Sequence, residues 1–262
     1  MPEFQEHPHG TFCWAELMAA DADSAKQFYS EVFGWSFRDD QTGPDMVYTT
    51  LCKGEKPVGA LFQRNEEQQK QGVPPHWGSY VAVTDVDETA RQATELGGRL
   101  IMKPADVGEV GRMAIIQDPS GAFLSLWQAK QLHGTQLKDE PGSMCWNELM
   151  TTNPEAAGQF LGQLFGWDLE TQQMGDIPYT VFMIQGRPIA GMLPIQADWG
   201  EIPPNWMVYF AVDDCDQAVA TAQARGAEIP VPPTEIANTG RFAMIQDPEG
   251  AVFGVIKLIP MD

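Results

Sequence analysis

Basic side chains are scarce in this sequence: 16 Lys and Arg face 36 Asp and Glu, for a formal net charge of −20. Such a surface repels polyanions, so neither nucleic acid nor an anionic membrane is an expected partner. Histidine is scarcer, with only His7, His9, His76 and His133 available to a metal centre built on imidazole. No apolar run approaches the roughly 20 residues of a membrane span, and the opening MPEFQEHPHG lacks the basic-then-apolar pattern of a secretory leader. The four cysteines, Cys13, Cys52, Cys145 and Cys215, form no CxxC pair and read as small buried hydrophobes. A cytoplasmic protein is the expectation. Nor is there a phosphate-binding glycine loop, a dinucleotide fingerprint or a GxSxG nucleophile motif.

What the sequence does have is repetition. CWAELM (13–18) returns as CWNELM (145–150), and GRMAIIQDPSGA (111–122) returns as GRFAMIQDPEGA (240–251). The offset falls from 132 to 129 between those points, and a longer polar loop, RNEEQQKQGVPP (64–75) against QADWGEIPP (196–204), accounts for the difference. The chain is a tandem duplication. Its expected layout is a first domain over 8–128, a polar linker over 129–142 and a second domain over 143–259.

Each copy reads as α+β. TFCWAELMA has the character of a strand, and a helix follows with Ala25, Phe28, Tyr29, Val32 and Phe33 on one stripe. Ala157, Phe160, Leu161, Leu164 and Phe165 repeat the stripe, with Asn153 as N-cap and Pro154 in the first turn, which places Asp21 at the corresponding cap. Gly34 and Gly166 are positioned to end these helices in the left-handed conformation. Short β-like runs come next (MVYTTLC and KPVGALF; YTVFMI and RPIAGMLPI), then WGSYVAV or WMVYFAV, a second helix, and two strands joined by DPSG or DPEG.

The repeated pattern of a strand, D-xx-A-xx-FY-xxx-FGW and D-P-x-G-A resembles the glyoxalase/bleomycin-resistance/dioxygenase superfamily, also called vicinal oxygen chelate proteins. Its layout is similar to that of the superfamily's tandem-domain, glyoxalase-like bacterial members, which include a mycobacterial antigen. The resemblance implies four β-α-β-β-β units, paired so that each domain curls a mixed sheet around one cavity. It also implies a divalent metal held by a His or Gln on the first strand of each unit and a Glu on the last. Here those places hold Trp14, Gly78, Ser125 and a residue near Gly59–Leu61, and in the second copy Trp146, Met207, Gly254 and a residue near Gly191–Leu193. Trp, Gly and Met offer a divalent ion no suitable donor, so neither a metal nor another cofactor is expected.

Side chains alternate along a strand, which places Trp14, Glu16 and Met18 on the cavity side, with Trp146, Glu148 and Met150 as their counterparts. Tyr80 and Tyr209 share that parity, and Arg112 and Arg241 are the candidate cationic partners of the two carboxylates. A glutamate facing an apolar cavity is either a ligand contact and acid–base group or a wall residue satisfied by hydrogen bonds. His7 and His9 are expected in a flexible terminus and His133 in the solvated linker. The expected function is metal-free binding of a small molecule by a monomer or homodimer. The alternative is a glyoxalase-like lyase or dioxygenase-type enzyme in which Glu16 and Glu148 move protons.

Overall fold

The computed structural model describes residues 6–44 and 46–259. Residues 1–5, which open the stretch read above for a leader, lie outside the described residues. The first half runs β1 (Phe12–Ala19), α1 (Ala22–Phe33), β2 (Ser36–Gly43), β3 (Met46–Lys53), β4 (Lys56–Gln63), α2 (Glu66–Lys70), β5 (His76–Ala82), α3 (Val86–Glu95), β6 (Arg99–Val107), β7 (Gly111–Gln117) and β8 (Phe123–Ala129). The second runs β9 (Met144–Thr151), α4 (Pro154–Phe165), β10 (Asp168–Met174), β11 (Ile177–Ile184), β12 (Arg187–Pro194), β13 (Asn205–Ala211), α5 (Cys215–Ala224), β14 (Glu228–Ile236), β15 (Gly240–Gln246) and β16 (Val252–Leu258).

Each half forms one curled eight-stranded mixed sheet, ordered β2-β3-β4-β1-β5-β8-β7-β6 in the first and β10-β11-β12-β9-β13-β16-β15-β14 in the second. The central pair β1/β5 is antiparallel and is flanked by the parallel pairs β1/β4 and β5/β8, so the two units of a half meet about a local twofold. The caps are those the sequence predicts. Asp21 accepts from the backbone N–H groups of Asp23 and Ser24, Asn153 accepts from that of Ala156, and Gly34 and Gly166 have φ of 70° and 72°. No described helix is long and apolar enough to cross a membrane.

The four β-α-β-β-β units call for β2, β6, β10 and β14, but the sequence reading assigned no residues to them. All four are sheet edges and carry no buried residue; β14 alternates exposed and half-buried positions, and the other three are largely exposed. The loop expected over 64–75 also contains a short helix, α2, held by a capping box between Asn65 and Gln68.

A single apolar core joins the halves. Helix α1 lies against α5 and α3 against α4, while Phe33 packs 5.2 Å from Phe210 and Phe28 packs 6.4 Å from Phe253 across the boundary. Trp35, Trp77, Trp167 and Trp206 all belong to this core. The opposite face of each sheet carries a separate cluster, one holding Trp14, Ala60, Tyr80 and Trp127, the other Met150, Leu193, Met207 and Tyr209.

The flexible terminus expected at His7 and His9 is corrected, and the polar linker is packed. Across 129–142, Thr135 and Leu137 are buried, the Thr135 N–H donates to the Cys13 carbonyl at 2.8 Å, and Lys138 Nζ donates to the Phe12 carbonyl at 3.4 Å. HPHG is fixed as well. The His7 ring bonds to the Thr135 carbonyl at 2.9 Å, and the Trp167 indole donates to the Gly10 carbonyl at 2.9 Å. Burial pushes the His7 imidazole down to about 4, so the ring is neutral at physiological pH. His133 remains exposed.

Candidate functional site

Strand β1 turns Trp14 and Glu16 to the same side of the first sheet, where Glu16 lies in register with Gly78 on β5 and Ala60 on β4. Both neighbours are too small to cover the carboxylate, and two tyrosines reach it instead. Tyr48 Oη donates to Glu16 Oε2 at 2.7 Å, Tyr80 Oη donates to Oε1 at 2.7 Å, and Trp14 Nε1 donates to Tyr48 Oη at 3.1 Å. The second half repeats this with Glu148: Tyr179 donates to Oε2 at 3.0 Å, Tyr209 to Oε1 at 2.9 Å, and Trp146 Nε1 to Tyr179 Oη at 3.0 Å. Each carboxylate oxygen therefore holds one phenol, and one indole holds one of the phenols.

Burial raises both glutamates above the usual carboxylate range, against which Tyr48 and Tyr80 (for Glu16) and Tyr209 and Tyr179 (for Glu148) stabilise the charged form. The tyrosines are driven far upward, by burial first and by the adjacent carboxylate second, so they remain protonated donors. Glu16, Glu148, Tyr48 and Tyr179 each keep partial exposure on the open side of their sheet. The thiols of Cys13 and Cys145 lie next to the clusters, each donating to the backbone carbonyl of the cluster tyrosine (Tyr80 or Tyr209) at 3.5 Å, and burial pushes Cys13 up to about 12. Neither is an activated nucleophile.

Of the residues singled out from the sequence, Trp14, Glu16 and Tyr80 are brought together, as are Trp146, Glu148 and Tyr209. Met150 belongs to the apolar cluster beside Tyr209, and Met18, half-buried, lies opposite His76. Arg112 and Arg241 do not reach the glutamates, and that expectation is corrected. Arg112 forms a two-pronged pair with Asp87 (2.7 and 2.9 Å) and approaches Asp106, while Arg241 pairs in the same way with Asp216 and reaches Glu235. These arginines fasten the starts of α3 and α5 to β7 and β15.

Tyr48 and Tyr179 were missed. Their signal was present, since both precede a threonine at matching places in the repeat, and four of the chain's five tyrosines turn out to sit on the two glutamates. The runs containing them were read only as strands. A surface depression of about 260 Å³ lies apart from both glutamates, between the N-terminal segment and β8, with Glu6, His7, Thr84, Gln128 and His133 on its wall.

A divalent metal does not fit these residues. Each half offers a single carboxylate, and among the described residues no group of three or more His, Cys, Asp or Glu side chains is placed to hold an ion. In the second half the tyrosines also fill the space that ligand side chains would need: a Cβ at Gly191 would overlap the Tyr179 hydroxyl, and one at Gly254 would overlap the Tyr209 ring.

The paired β-α-β-β-β units and the duplicated, curled sheets define the class. Residues 11–126 and 144–255 both match the family model for the glyoxalase/bleomycin resistance protein/dioxygenase superfamily, and the chain belongs to that family. It is 35% identical to CFP32 of Mycobacterium tuberculosis, a protein provisionally named a glyoxylase, with 99% of each chain covered. It is 30% identical to the anthracycline biosynthesis protein DnrV of Streptomyces peucetius, covering 95% of this chain and 94% of the relative. Among solved structures, the Mn(II)-bound glyoxalase from Novosphingobium aromaticivorans superposes with a TM-score of 0.66 over 97% of this chain and 84% of that one. At 17% identity this is a likeness of fold.

Proposed function

We propose that the chain binds a small organic molecule on the open face of each sheet, using the Trp–Tyr–Glu–Tyr cluster and no metal, and so sequesters or senses a metabolite or drug. The observation that carries this is the cluster's duplication: four polar residues satisfy one another in an otherwise apolar wall, in both halves and with the same connectivity. Wall packing alone is served by apolar residues at lower desolvation cost. A relative named for anthracycline biosynthesis supports a small organic ligand over a macromolecular one. Binding measured by tryptophan fluorescence should be lost when Trp14→Ala and Trp146→Ala are combined. Full retention of affinity in that folded double variant would sink the proposal.

The raised carboxyls favour one second reading, a lyase or isomerase step in which Glu16 and Glu148 shuttle a proton. It predicts that Glu16→Gln with Glu148→Gln abolishes turnover while leaving binding largely intact.

A further inference from the structure

We propose that the two clusters are receptors for a protonated amine carried on an aromatic or otherwise apolar body; this rests on the small-molecule reading above. The direction of the hydrogen bonds points there. In the first half the Trp14 indole N–H and the Tyr48 and Tyr80 hydroxyls are all spent inside the cluster, and the Ser125 hydroxyl is engaged with Tyr80. The second half spends Trp146, Tyr179 and Tyr209 identically. Only acceptor capacity remains, chiefly the second lone pair of each carboxylate oxygen. A ligand presenting a carbonyl or a carboxylate would find no donor, whereas a ligand that donates completes the set.

Charge selects among donors. Among the described residues neither Glu16 nor Glu148 forms an ion pair: tyrosine hydroxyls hold their charge, and Arg112 and Arg241 are committed to Asp87, Asp106, Asp216 and Glu235. A carboxylate drawn out of water without a counter-ion is costly, and an ammonium group on the ligand would supply the counter-ion. The walls suit a cation on an apolar body. Trp14, Tyr48, Tyr80 and Trp127 cluster at the first site, and Trp146, Tyr179, Tyr209 and Phe242 at the second, offering aromatic and apolar area to the ligand's body. The net charge of −20 raises the local concentration of such a ligand.

The test uses three probes with one ring system, 2-naphthylmethylamine, 2-naphthylmethanol and 2-naphthoate, titrated calorimetrically into the full chain at neutral pH with salt held high enough to screen the surface. The amine should bind about tenfold or more tighter than the alcohol, and the naphthoate should not bind. Glu16→Gln with Glu148→Gln should erase the amine's advantage and leave the alcohol nearly unaffected. If that variant does not fold, acidification of the wild type decides, because amine affinity relative to alcohol must fall as the glutamates take up protons. Naphthoate binding as well as the amine, or an amine advantage indifferent to both the glutamine variant and pH, would overturn the assignment. Equal binding of all three probes, lost with Trp14→Ala and Trp146→Ala, would remove the amine while sparing the pocket. Binding of none would remove both.

Discussion

Replacing Tyr29 with Phe should destabilise the protein far more than the loss of one oxygen ordinarily does. Tyr29 lies fully buried between the halves, where its hydroxyl donates to Asp247 at 2.9 Å and accepts from the Trp77 indole at 3.0 Å. The internal repeat shows what happens without it. Leu161 stands at the position equivalent to Tyr29, and the equivalents of its two partners, Trp206 Nε1 and Asp118 Oδ2, are both buried without a hydrogen-bond partner. Tyr29→Phe would create the same two orphans in a core that now satisfies them. A stranded buried polar group costs about 1–3 kcal/mol, so the pair should cost roughly 2–6 kcal/mol. The ring is retained, so no cavity term is added. At about 2–4 °C per kcal/mol for a chain of this size, that is a fall in Tm of roughly 4–24 °C, measurable by circular dichroism together with urea unfolding. The loss should also depend on pH. Burial already raises the Asp247 carboxyl, and the Tyr29 hydroxyl is the main group pulling it back. A carboxyl raised in the folded state contributes stability that is complete below its unfolded value and is lost as pH rises through the folded value. Removing the hydroxyl raises that folded value further, so the defect should be smaller in acid and larger at neutral pH. A loss below about 0.5 kcal/mol, or one that shrinks as pH rises, would refute the reasoning.

The same asymmetry predicts that Asp247→Asn costs more than Asp118→Asn, by about 1 kcal/mol in urea unfolding, because only Asp247 receives a side-chain donor from across the interface. Tyr48→Phe with Tyr179→Phe should raise the Glu16 and Glu148 carboxyls further, seen as a protonated-carboxyl infrared band persisting to higher pH. In the wild type these raised groups must take stability away as pH climbs through their folded values, so Glu16→Gln with Glu148→Gln should flatten that part of the stability–pH curve. Arg112→Ala breaks an exposed pair with Asp87 and should leave small-molecule affinity unchanged, which separates it from the cluster residues in a binding titration.

How much of this was legible depended on whether a residue's environment is local. The helix caps, the left-handed glycines and the apolar stripes of α1 and α4 follow from neighbours in the chain, and the structure reproduces them. The parity of β1 and β5 placed Trp14, Glu16 and Tyr80 on one face because alternation is a local property as well. Tyr48 and Tyr179 arrive from β3 and β11, two strands away from β1 and β9 in their sheets, and no periodicity within those runs says which glutamate they will meet. Arg112 failed for the complementary reason. Its sequence made it the obvious cation for Glu16, but the first turn of α3 offers Asp87 within reach on the same side of β7. The edge strands were counted by the repeat of β-α-β-β-β units but not located, because strands as exposed as β2 and β10 have little alternation to read.

The duplication itself sorts the buried polar groups into two kinds. Contacts across the boundary are made by non-equivalent positions, so each exists once and its mirror image is free to change. Ser79 donates to Asn147 at 2.7 Å across the boundary, while the mirrored positions hold the apolar pair Val208 and Ala15; Tyr29 satisfies two groups, while Leu161 satisfies none. A polar network there can be lost on one side for the price of a few orphans, and the fold persists. The Trp–Tyr–Glu–Tyr cluster lies on the other face, where all its partners come from its own half, and it is complete twice. Nothing in the fold requires this, because Gly191 and Met207 show that the positions flanking the glutamate tolerate change between copies (Ala60 and Gly78 in the first) while its three donors do not vary. Divergence at the interface beside identity in the cluster is what the binding site proposed for both halves would leave, while a purely structural cluster would keep its donors only to satisfy the buried glutamate.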